Sequence, residues 1–184
     1  MKIYVAIGKD DVELAHPLAS KGFETINQLC DGNSHSVPWA PLPFTLIQED
    51  NGRQLRSVDT PWLGDHVLIL KPRAVTELAH LLDGSGELLP LESPANLQLF
   101  NSTVMLDALN EDTSILQRFS SGQIMHIRKY DFREEVVAKA DIFRIPNVRV
   151  SSLFFSEQFV EEYEAKKLTG LDFKTVWSSS RAAG

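Results

Sequence analysis

The run from Ile142 to Trp177 constrains the fold more than any other part of the chain. It divides into a strand over Ile142–Pro146, a second over Asn147–Val150, a short helix, a tight stop and a closing strand. Phe155, Phe159, Val160 and Tyr163 recur at helical spacing and leave Glu161, Glu162, Glu164 and Lys166 for water. Gly170 supplies a left-handed stop. Leu171, Phe173 and Trp177 then alternate against Asp172 and Lys174, the pattern of a half-buried strand with Trp177 in the core. A short helix between strands must lay its apolar stripe on a sheet. The expected class is therefore α+β: a mostly antiparallel, twisted sheet with a few short helices packed on it.

The rest of the chain supplies the other strands. Met1 to Ile7 is β-branched and aromatic, and it ends at the turn residues Gly8, Lys9, Asp10 and Asp11. Residues 8–42, broken by Gly22, Gly32, Pro38 and Pro41, read as loops around one short helix. Phe44–Gln48 and Arg53–Val58 form a predicted hairpin, since Asn51 and Gly52 supply the positive-φ pair of a tight primed turn. His66–Leu70 is a strand. A helix then opens at Pro72, carries Val75, Leu78, Ala79 and Leu82 on one stripe, and stops at Gly84. Glu87–Leu91 reads as an edge strand because Pro90 cannot donate to a ladder. Asn96–Met105 is another strand. Asp107–Ser114 is turn-like, with Asp112 or Thr113 able to cap a short helix. Gly122–Tyr130 carries apolar residues on both faces and is expected to be covered on both sides.

At 184 residues the chain fits one domain over 1–177, with 1–60 a small variable N-terminal subdomain, 61–177 the core and 178–184 a disordered tail. A net charge of −7 argues against a nucleic-acid partner, which calls for clustered Lys and Arg. It suits a basic protein partner, or solubility alone. The single cysteine, Cys30, excludes an internal disulfide and fits a reducing compartment. The apolar run Ile3–Ile7 is shorter than a secretory core, and no run approaches the ~20 residues of a membrane span. The expected location is cytoplasmic, with no membrane partner.

The sequence holds no nucleophile elbow, Walker loop or dinucleotide fingerprint. Gly84, Ser85 and Gly86 form a turn after a helix rather than a phosphate cradle. Cys30 and His35 are too few to close a metal site. Cys30 lacks an oriented base and reads as a small buried hydrophobe. The acid pairs Asp10–Asp11, Glu49–Asp50, Glu111–Asp112, Glu134–Glu135 and Glu161–Glu162 fall in turns or on a wet helix face and read as solvating. No catalytic, metal or cofactor residue is expected. Trp39 and Trp62 stand beside prolines in loops, where tryptophan either anchors a partner or pins the loop to its own core. The candidate partner-binding residues are Trp39, Glu49, Asp50, Trp62 and Asp107; Asp107 serves equally as a turn former.

Three stretches carry a resemblance. The first is His66–Val75 with Leu81, Leu82 and Gly86–Leu91. The second is Val104–Leu109, followed by Ser114, Phe119 and Gly122–Ile124. The third is Ile142–Pro146 with Val150–Ser152, Phe159, Leu168–Phe173 and Trp177. In order and spacing they resemble the polymorphic-toxin immunity proteins of the Myxococcus type, the family numbered eleven. The resemblance covers roughly residues 60 to 177. Ser151 and Ser152 stand where an Asp is expected, and the first sixty residues carry no matching motif. The resemblance implies a cytoplasmic antitoxin, not an enzyme, which binds a cognate toxin domain and neutralises it by steric blockade; a homodimer is compatible with this. Two other classes compete. A small-ligand-binding or enzymatic α+β domain would gather Cys30, His35 and an acid in one deep pocket. A homo-oligomeric adaptor would show a large apolar patch on an exposed strand.

Overall fold

The first and last strands of the chain lie side by side in a computed structural model that describes residues 1–179. The elements begin with β1 (Lys2–Gly8), β2 (Leu14–Pro17), α1 (Ser20–Gln28), β3 (Phe44–Ile47), β4 (Glu49–Asp50) and β5 (Arg53–Gln54). Next come β6 (Leu68–Leu70), α2 (Pro72–Glu77), α3 (Ala79–Leu82), β7 (Gly86–Pro90) and β8 (Gln98–Ser102). The chain continues with β9 (Ile115–Arg118), β10 (Ile124–Lys129) and α4 (Glu134–Val137). It closes with β11 (Ile142–Phe143), β12 (Phe154–Ser156), α5 (Glu157–Ala165) and β13 (Leu171–Ser178). All paired strands are antiparallel, in several small sheets, which is the expected α+β class.

The largest sheet has the order β11-β12-β1-β13. Successive residues of a strand face opposite ways, and here both faces are covered. Ile3 and Val5 join Phe143, Phe154 and Phe132 in one core. Tyr4 and Ala6 join Phe155, Phe159, Tyr163 and Leu171 in another. A three-stranded sheet, β6-β8-β7, shares that second core through Leu68, Leu70 and Phe100. Ala74, Leu78 and Leu82 of α2 and α3 and Val160 of α5 fill it further. The opposite face of the three-stranded sheet, with Ile69, Leu89 and Leu99, packs on Ile26 of α1 and Phe44 of β3.

Several elements differ from the sequence reading, each for a traceable reason. Phe44–Ile47 pairs with Leu14–Pro17 rather than with Arg53–Val58. The Asn51–Gly52 turn, with φ of 50 and 77, is present as expected but joins only the two-residue strands β4 and β5. The helix after Pro72 splits at Leu78, whose φ of −102 and ψ of 6 leave the helical region. No helix forms over Asp107–Ser114. That backbone is tied instead to a neighbouring segment, with Asn110 N–H donating to Asp131 O at 2.8 Å and Arg133 N–H to Ala108 O at 2.9 Å. The strand expected at Asn147–Val150 is turn and bend, and the strand entering the helix is Phe154–Ser156.

Phe155 therefore belongs to β12, and Ser156 caps α5 by accepting from Phe159 N–H at 3.1 Å. Lys167, not Gly170, ends that helix: its φ is 52, and Leu168 N–H returns to Tyr163 O at 3.1 Å, a Schellman arrangement. Gly170, at φ 118, serves a different need, since a Cβ there would lie 2.2 Å from Thr60 O. A bulge opposite Ile3 and Tyr4 sends Leu171 and Phe173 to one core and Trp177 to the other. Ser178 pairs with Lys2, and Ser179 N–H donates to Met1 O at 3.0 Å. The remainder of the expected tail, 180–184, lies outside the described residues.

Candidate functional site

The pairing of Cys30 with His35 dissolves on inspection of their partners. Cys30 is buried and its Sγ donates to Ile26 O at 3.9 Å, while burial pushes the thiol up and keeps it protonated. His35 Nε2 lies 3.0 Å from Asp31 Oδ1, and its backbone N–H donates to Glu87 Oε1 at 2.5 Å. Glu87 also accepts from Ser34 Oγ at 2.7 Å, Asn101 Nδ2 at 2.9 Å and Ser36 N–H at 3.2 Å. Burial pushes the Glu87 carboxyl up, but these donors together hold it at about 2. Asp31 is treated alike: burial raises it, and Asn33 and His35 bring it to about 2. The cluster is a clamp that fastens the loop after α1 to β7. A groove of ≈ 680 Å³ next to Asp31 is lined by Glu24, Asn27, Gln28 and the Arg149–Val150 turn, and neither Cys30 nor His35 lines it. Among the described residues no group of three or more His, Cys, Asp and Glu is placed to hold a metal.

Two buried charges escaped the sequence reading. Glu13, 0% exposed, accepts from Val58 N–H at 2.8 Å, Ser57 Oγ and Gln48 Nε2 at 3.0 Å, and Lys71 Nζ. Burial pushes its carboxyl up, but Lys71 and the neutral donors outweigh that and hold it below the ordinary value. Arg144, 1% exposed, has no carboxylate partner among the described residues. Its Nη1 donates to Ser151 O at 2.7 Å and its Nη2 to His66 O at 2.9 Å. The guanidinium thus staples the turn before β12 to the approach to β6, and burial lowers its pKa. An arginine between Phe143 and Ile145 in an apolar run was the available signal.

The five candidate partner residues are not brought together. Trp39 donates Nε1–H to Pro90 O at 2.9 Å and packs on the core beneath β7 and β8. Trp62 stacks over Gly8, where a Cβ would lie 2.5 Å from its Cγ, and its carbonyl accepts from Ala15 N–H at 3.0 Å. Glu49 and Asp50 are exposed on the β4–β5 hairpin. Asp107 is exposed and pairs with Arg133 at 3.1 Å.

A surface the sequence reading passed over lies elsewhere. Strands β9 and β10 form a ribbon that rests on the Phe132–Phe154 core through Ile127, Leu116 and Ile124. Gly122–Tyr130 was expected to be covered on both sides; instead β10 has β9 as its one paired strand, and its outer residues meet solvent. Ile115 is 54% exposed, Phe119 52% and Met125 42%. Between Asp112 and Asp131 there is no Asp or Glu, while Arg118, Arg128 and Lys129 fall there with His126. Beside the ribbon runs a groove of ≈ 640 Å³, lined among others by Phe119, Ile124, Val148 and Arg149. The acid at its wall, Glu111, is neutralised in place: Arg118 donates to it at 2.5 Å and Asn147 at 2.7 Å, which together hold it below the usual carboxylate range.

Residues 93–178 match the model of the immunity protein family Imm11; the second and third resembling stretches fall within that segment, and the first, His66–Leu91, lies outside it. The matched segment contains β8 to β13, and with them the ribbon and its groove, but neither β1 nor β6 and β7. No curated protein matches the chain. A family of immunity proteins supports an immunity role, which is a binding rather than a catalytic one, and implies a toxin protein as partner. No described helix is long and apolar enough to cross a membrane.

Proposed function

We propose that this chain is a cytoplasmic immunity protein that binds a cognate toxin domain and neutralises it sterically, by covering or distorting the toxin's active site. The observation that carries this reading is the family match over residues 93–178. The chemistry of the chain supports it. The groups a hydrolase would need are spent on structure: Cys30 is a buried, protonated thiol, and His35, Asp31 and Glu87 hold a loop in place. Neutralisation by blockade asks only for a rigid scaffold and a surface with desolvated anchors ringed by charge, and such pairs reach very tight binding.

The test is purification of the tagged chain from cells that express the effector encoded beside its gene, with a high-salt wash and mass spectrometry of what stays bound. A one-to-one complex with the effector's toxin domain, and loss of toxin activity at equimolar chain, is the expected result. An empty lane from cells shown to contain that effector overturns the proposal.

A further inference from the structure

We propose that the β9–β10 ribbon, with the groove it shares with residues 146–150, is the surface that holds the toxin domain, and that the facing surface of that partner is acidic around an apolar notch. This rests on the immunity reading and adds where the partner sits and what its surface must be.

The argument begins with a contrast of sign. The chain as a whole carries −7, yet the stretch between Asp112 and Asp131 holds Arg118, Arg128, Lys129 and His126 without one carboxylate. Arg128 touches Gln117 at 3.2 Å and no acid, and Lys129 has no acid within ion-pair reach among the described residues. Arg149 adds a cation on the far wall of the groove, and Glu111, its only acid, is already paired with Arg118. An unpaired cation attracts an acidic surface and repels a basic one.

Apolar exposure coincides with this charge. Ile115, Phe119 and Met125 stand in water on a ribbon whose other residues already suffice to seat it on the core. Exposed large side chains ringed by charge are the arrangement of an interface anchor. Phe119 also lines the groove, so a side chain of the partner entering there would meet an aromatic ring in a lining that includes Arg118 and Arg149. A polyanion such as RNA is disfavoured as occupant, because the remaining surface of this acidic chain would repel a long phosphate backbone. An acidic protein face of limited extent avoids that repulsion.

The experiment measures binding of the purified toxin domain to the full chain by calorimetry. Four proteins are compared: wild type, Arg128→Glu with Lys129→Glu, Phe119→Ala, and Glu161→Lys with Glu164→Lys as a control on the exposed face of α5. The charge reversal is expected to weaken binding about 100-fold and Phe119→Ala about 10-fold, with the control within about two-fold of wild type. Wild-type affinity should fall as salt rises. Ribbon variants that bind like wild type, whatever the control does, overturn this proposal and leave the immunity reading standing. A wild-type chain that does not bind the toxin domain overturns the immunity reading and this proposal with it. Ribbon variants that keep the toxin but lose wild-type binding to phosphatidylserine vesicles or to poly(U) RNA assign the ribbon to another macromolecule and overturn it too. Matching urea midpoints check the fold, and the milder Arg128→Gln with Lys129→Gln pair replaces the reversal if that variant fails to fold.

Discussion

The four-stranded sheet and the β9–β10 ribbon are built from the same antiparallel ladder, and both fall largely within the family-matched segment, yet they have opposite relations to water. In the sheet, Ile3, Phe143, Phe154 and Phe155 are buried, and aromatic rings pack around them and α5, edge to face for Phe132–Phe154 and Tyr163–Phe173, stacked for Phe143–Phe154 and tilted for Phe155–Phe159. In the ribbon a single residue, Ile127, is fully buried, and Ile115 and Met125 are not. Hydrogen bonding is alike in the two places. Burial separates the part that sets the fold from the part free to be recognised.

That separation is open to direct attack by substitution. Phe154→Ala removes a ring packed between Phe132, Phe143 and Tyr130 and is expected to cost about 4 kcal/mol in urea unfolding. Gly170→Ala places a methyl 2.2 Å from Thr60 O at a φ of 118; a loss of about 3 kcal/mol is expected, visible as a lowered melting temperature. Tyr163→Phe deletes the 2.5 Å hydroxyl contact with Thr60, for a loss of about 1 kcal/mol. Burial lifts the Tyr163 phenol to about 12 from its ordinary 10.0, so its neutral form stabilises the fold below pH 10.0 and that contribution is lost as pH rises toward 12. Spectrophotometric titration should show late ionisation of both Tyr163 and Tyr130, which burial also raises, and Tyr163→Phe should remove one of the two late steps.

Smaller effects are expected at the periphery. Glu87, ordinarily near 4.5, is held at about 2 in the folded chain. Its contribution is therefore complete above pH 4.5 and drains away as pH falls toward 2. Glu87→Gln should flatten that acid limb of the stability curve, and amide exchange at His35 and Ser36 should quicken. Phe119→Ala should change stability by less than about 0.5 kcal/mol. A loss comparable to that of Phe154→Ala would make the ribbon part of the scaffold and erase the contrast.

What could be read from the sequence was local. The opening strand, the Asn51–Gly52 turn and the edge placement of β7 with Pro90 each depend on neighbours in the chain, and each is present. Features set by remote partners were not readable. Strand β2 exists because β3 lies beside it, and Leu14 to Pro17 show no alternation to announce it. The face of Trp177 is set by a bulge against β1. Gly170 looked like a helix stop, and only the approach of Thr60 reveals its purpose. The candidate surface was half legible. Its lack of acids is plain in the sequence, but apolar residues on both sides of Ile124–Ile127 imitate a covered strand, and its exposure needs the fold. Arg144 was hidden for a related reason, since its acceptors are backbone carbonyls contributed by His66 and Ser151.

The position of β1 has a consequence in time. It leaves the ribosome long before its two neighbours, β12 and β13, are made. Until residues 154–178 emerge, Ile3 and Ala6 have no sheet to join, and nascent chains must keep them from straying. Pairings that span nearly the whole chain form slowly. A growing cell that needs this sheet therefore waits for residues 154–178, and a premature stop before Leu171 would leave the central strand with a bare edge.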